Sequence, residues 1–119
     1  MLRVQPFQAI HPDPNKAAQV ACVPYDVINT AEARELAKGN PNSFLHVIRA
    51  EIDLPESTNP YDAVVYAKAR ENLERFLRDD VLRRNTTPRM FIYRQVMNHR
   101  SQIGLVCCCH IDDYANDII

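Results

Sequence analysis

Three consecutive cysteines followed by a histidine, Cys107-Cys108-Cys109-His110, are the residue types in this sequence that most directly suggest metal or redox chemistry. Their spacing works against it. In an extended chain adjacent side chains point to opposite faces. Cys107 and Cys109 then share a face with Ile103, Leu105 and Ile111, while Cys108 and His110 lie on the other. A tetrahedral zinc site would need further ligands from Cys22, His11, His46 or His99, and no second pair stands at ligand spacing. A CxxC motif is absent, and reactive thiols need an electropositive, partly exposed setting. No metal is assigned, and the cysteines read as small apolar residues marking a strand buried on both faces.

Other residues have better claims. Tyr25 and Asp26 follow Pro24 in an irregular connection, and Arg49, Glu51 and Asp53 close the segment after the next helix. A carboxylate and a guanidinium at strand ends suit an anionic or metal-chelated ligand. The competing account is structural: Asp26 caps local backbone donors, and Arg49 pairs with Glu51 or Asp53 at the surface. His46, between Leu45 and Val47, reads as a satisfied core histidine, because acid–base work needs a cleft and a partner. Arg94, inside the apolar run "IYRQV", must find a partner or reach a pocket. The ligand-binding candidates are therefore Tyr25, Asp26, Arg49 and Arg94, with no catalytic residue and no cofactor assigned.

The chain that must position these groups has 119 residues, enough for one domain with a core of its own. Its 46% hydrophobic and 24% charged composition is that of a globular protein. A net charge of -1 supplies no global attraction to nucleic acid or to an anionic membrane. No signal-peptide core or membrane-length apolar run is present, so the expected location is cytoplasmic. With only two glycines, neither a GxGxxG nor a Walker loop can be built.

Pattern and punctuation predict an α/β or α+β domain: a mixed sheet with a C-terminal antiparallel hairpin and flanking helices. "RVQPFQAI" opens as a short strand. Asp13 as N-cap with Pro14 at the first helical position predicts a brief helix to about Ala21. Asn29 and Glu32 stand at capping-box spacing, and Gly39 where a left-handed residue is wanted, framing a helix from Thr30 to Lys38. "SFLHVIRAEID" alternates with apolar residues on both faces, which predicts an internal strand. Asn59 as N-cap and Pro60 open the longest helix, running to about Leu82 with Tyr66, Ala69, Leu73, Phe76 and Leu77 as its buried stripe. Its arginines alternate with acids, as on a solvated, salt-bridged face and unlike a phosphate-tracking stripe. "RMFIYRQVM" and "SQIGLVCCCHI", joined through "NHR", predict the hairpin, and "DDYANDII" begins a short helix.

Read in order, Pro24-Tyr25-Asp26-Val27, the run from Asn40 to Asp53, Tyr61 to Leu73 and Tyr93-Arg94-Gln95 resemble the N-terminal part of a bacterial and archaeal family known as domain of unknown function 1015 (DUF1015). The resemblance covers nearly the whole chain. It implies that residues 1–119 are the first portion of a longer domain, truncated at its C-terminus. Full-length members continue with a histidine-glutamate-basic segment and a "DGHHR" element, neither of which occurs here. Those elements make the family similar to ParB- and sulfiredoxin-type proteins, some of which handle nucleotides or phosphoryl groups. By analogy, the chain is expected to form part of an enzyme that binds a small anionic or nucleotide-like ligand, with phosphoryl transfer as the first reaction to consider. The alternative is a non-catalytic regulatory or nucleic-acid-associated module.

Overall fold

The computed structural model describes all residues, 1–119, as an α+β protein with five α-helices and three two-stranded antiparallel sheets. In chain order these are β1 (Val4–Gln5), β2 (Ile10–Pro12), α1 (Ala17–Val20), α2 (Thr30–Ala37), α3 (Leu45–Ile48), α4 (Ala63–Arg78), β3 (Leu82–Arg84), β4 (Phe91–Met97), β5 (Arg100–Val106), β6 (Cys108–Cys109) and α5 (Ile111–Ala115). Single 3-10 turns occupy Tyr25–Val27 and Ala50–Asp53. The sheets pair β1 with β6, β2 with β3 and β4 with β5. Contacts group the chain into two compact units, one of residues 12–83 and one of residues 1–11 with 84–119. No helix is long and apolar enough to cross a membrane.

The 12–83 unit is helical and holds two buried clusters. Val20, Phe76, Val81 and Leu82 form one, and Ala33, Ala37, Leu45 and Ile52 the other. In α2 the expected capping box is complete: Asn29 Oδ1 accepts the Glu32 amide at 2.9 Å, and a Glu32 carboxylate oxygen accepts the Asn29 amide at 2.8 Å. The helix leads into a type II turn, with Gly39 at φ +73 and the Asn40 amide donating to Ala37 O at 3.0 Å.

Residues 44–53 are not the expected strand. They form α3 and the 3-10 turn that follows it. Phe44 and Val47, one helical turn apart, pack on the first cluster, while Leu45 and Ile52 enter the second. A short helix lodged between two clusters needs apolar residues all round, and over four residues that pattern matches a doubly buried strand.

Two helix starts also differ from expectation. Asp13 does not cap a helix; its Oδ1 accepts the Asn15 amide at 2.8 Å, its other oxygen pairs with Arg83, and α1 begins only at Ala17. Asn59 likewise closes a turn through its side chain to the Tyr61 amide, 3.0 Å, and α4 starts at Ala63 behind Asp62. At the far end α4 stops at Arg78, short of Leu82, because Asp80 takes φ +52 and the Val81 amide returns to Phe76 O at 2.9 Å. This is a Schellman closure, with Val81 packed beside Phe76. Of the expected stripe, Phe76 is buried and Leu73, Leu77 and Ala69 are partly so, while Tyr66 is exposed. The other face carries the ion pairs Lys68–Glu71, Arg70–Glu74 and Arg78–Asp79.

The second unit is built on the β4–β5 hairpin, in register from Phe91↔Val106 to Met97↔Arg100. Asn98 and His99, both at positive φ, make the two-residue turn whose twist suits a hairpin. Gly104 lies opposite Tyr93, and a Cβ there would run into the ring, so the glycine is what lets the tyrosine lie across the strand. The second strand does not run on through the cysteines. It ends at Val106, and Cys108–Cys109 pair instead with β1, as Val4↔Cys109 and Gln5↔Cys108. The strand is exposed along most of its length, contrary to the expectation of burial on both faces.

Candidate functional site

The 12–83 unit contains a cavity of about 300 Å³. Tyr25 from the first 3-10 turn, Arg49 and Glu51 from the end of α3 and the second 3-10 turn, Tyr61 from the turn before α4 and Tyr66 from the first turn of α4 line it. The remaining lining is aliphatic. The tyrosines are 61%, 82% and 62% exposed, a large aromatic surface left facing solvent.

Arg49 is placed by the turn that carries it and is spent on holding its surroundings. Its Nε donates to Tyr25 O at 3.1 Å and its Nη2 to the carbonyls of Tyr25 and Ile28. Its Nη1 reaches Glu51 Oε1 at 3.3 Å, and its guanidinium carbon lies 5.9 Å from the Tyr25 ring centroid. Glu51 is buried and paired, so its charge and that of Arg49 cancel locally. Glu51 Oε1 also accepts the Thr30 hydroxyl at 3.2 Å. The arrangement offers aromatic faces and one buried carboxylate. It offers no uncommitted cation.

Of the residues singled out in the sequence, Tyr25 and Arg49 therefore meet at one cavity. Asp26 sits beside Tyr25 in the same 3-10 turn, exposed, and is not among the residues lining the cavity. Arg94 belongs to the other unit, exposed on β4 opposite Ile103. Tyr61 and Tyr66 were not singled out for function. The spacing puts Tyr66 in the buried stripe of α4; it is exposed, and Val65 and Ala69, one turn apart, line the cavity beside it.

His46 stands apart from the cavity and is fully engaged. Its Nδ1 lies 2.9 Å from Asp53 Oδ1, its Nε2 lies 3.1 Å from Asn40 O, and Asn72 Nδ2 donates to His46 O and Asp53 Oδ2 at 2.6 and 2.8 Å. Both ring nitrogens are thus committed to partners within the unit and away from the cavity. This is the satisfied histidine that its place in the sequence suggested.

The Cys109 and Cys22 thiols are not activated. Desolvation, then the neighbouring Cys107 thiol and the Asp113 carboxylate, push the Cys109 thiol above its ordinary range, and burial does the same for Cys22. No cluster of three or more His, Cys, Asp or Glu side chains is placed to hold a metal ion. A second hollow, about 470 Å³, lies at the turn end of the hairpin beside Gln95, Met97 and Gln102. Its lining is wholly exposed and carries no buried polar group.

Fold and site together define a small α+β protein with a tyrosine-rimmed cavity in its helical unit. The family model described as protein of unknown function (DUF1015) matches residues 4–119, and the chain belongs to that family. No curated protein and no solved structure matches the chain.

Proposed function

We propose that the cavity at Tyr25, Arg49, Glu51 and Tyr61 binds a small nucleotide-like ligand, and that the chain forms part of a cytoplasmic enzyme acting on it, with phosphoryl transfer the first reaction to test. One observation carries this reading: residues from three separate stretches, two of them chosen from the sequence for ligand chemistry, converge on one concave site. Exposed aromatic surface around a cavity with a buried polar group is the usual composition of a small-molecule site. In a thermal-shift titration with nucleotides and Mg²⁺, Tm should rise with ligand concentration, since a ligand that binds only the folded state stabilises it by mass action. Tyr61→Ala should lose the shift while leaving the circular dichroism spectrum unchanged. Absence of any shift across the nucleotide set would sink the reading.

A further inference from the structure

The geometry points to a nitrogenous aromatic ring of the nucleobase type, bearing an N–H donor, as the group this cavity recognises, in place of the phosphate. The inference rests on the reading of the cavity as a small-ligand site and names what that site grips.

A phosphate needs a free cation or a cluster of free backbone amides. Arg49 is the only cation in the lining, and its nitrogens already serve the carbonyls of Tyr25 and Ile28 and the carboxylate of Glu51. Recruiting it to an anion would release the 3-10 turn that carries Tyr25. Glu51, buried beside it, already takes up its charge, so the pair offers an anion no net attraction.

What the cavity does offer matches a flat ring. Tyr25, Tyr61 and Tyr66 present exposed aromatic surface, and every base has a flat π-face that stacks favourably on an aromatic side chain. Glu51 supplies the polar handle. Its Oε1 takes both the Thr30 hydroxyl and Arg49, which leaves Oε2 for an N–H donor on the ligand edge. A volume of about 300 Å³ lies at the small end for ligand sites, enough for a ring and little more.

The test is a calorimetric titration of the full chain with adenosine, guanosine and cytidine, their 5′-monophosphates, and pyrophosphate. At least one nucleoside should bind within about threefold of its monophosphate. Pyrophosphate should not compete, and affinity should change less than about twofold between low and high salt, because no phosphate contact releases counterions. Tyr61→Ala, at a side chain too exposed to carry the fold, should weaken nucleoside binding about fivefold or more, as loss of one stacking partner requires. Monophosphates that bind where nucleosides do not, or pyrophosphate that displaces them, would overturn ring recognition and leave a nucleotide site standing. Failure of nucleosides and nucleotides alike would overturn both readings.

Discussion

Asp113 is shut off from solvent, and its carboxylate takes the Arg3 amide at 2.7 Å on Oδ2 and Arg3 Nε at 2.9 Å on Oδ1, with Nη2 on the same oxygen. These bonds from Arg3 hold the Asp113 carboxyl below the ordinary aspartate range. A depressed folded value means that the unfolded chain binds the proton more readily. The contribution is therefore complete above the unfolded aspartate pKa, about 3.9, and is lost as pH falls through the lower folded value. Asp113→Asn should make the acid limb of the stability curve shallower, read from urea titrations at a series of pH values below about 5. An unchanged slope would show that other carboxylates govern it. At the same scale the sequence was informative about chemistry and poor about partners. Tyr25 and Arg49 could be chosen for their types and position, but that Arg49 would donate its hydrogen bonds inward to two carbonyls depends on a turn no local pattern announces.

Helix ends were legible where a side chain caps the helix and illegible where a fold-level contact sets the limit. Asn29 with Glu32 and the glycine at position 39 were readable because each acts on its own backbone within a few residues. The hairpin was readable for a similar reason, a short polar turn between two β-rich runs. Residues 44–53 were not, since four residues between two clusters carry too few turns to separate a helical period from an alternating one. The end of α4 depends on Asp80 in a left-handed conformation, so that Val81 and Leu82 turn into the core. An L-residue other than glycine pays for that conformation, by about 1–2 kcal/mol. Asp80→Gly should be neutral or stabilising, and Asp80→Val, β-branched and lacking a polar group to bond locally, destabilising by about 1–2 kcal/mol. Chemical denaturation of the two variants checks this, and equal effects would mean that the closure does not limit the helix.

Across the molecule, burial is uneven. Of the buried apolar side chains, only Ala9 belongs to the unit of residues 1–11 and 84–119, and both core clusters lie in the helical unit. Phe76, fully buried, should cost about 3–5 kcal/mol when cut to alanine. Ile103, 70% exposed on the hairpin, should stay within about 0.5 kcal/mol. Native-state hydrogen exchange would report the same division as slow amides in α4 and faster ones in the hairpin, and the reverse order would contradict it. The hairpin also explains something about Arg94 that neither ligand chemistry nor pairing requires. The strand Phe91–Met97 is rich in β-branched, aromatic and aliphatic side chains, much of it open to solvent, and Arg94 is its single charge, set at the centre. A seven-residue run of that kind without the charge has the composition from which cross-β fibrils assemble. A single charge at the centre of such a run disfavours its stacking on copies of itself.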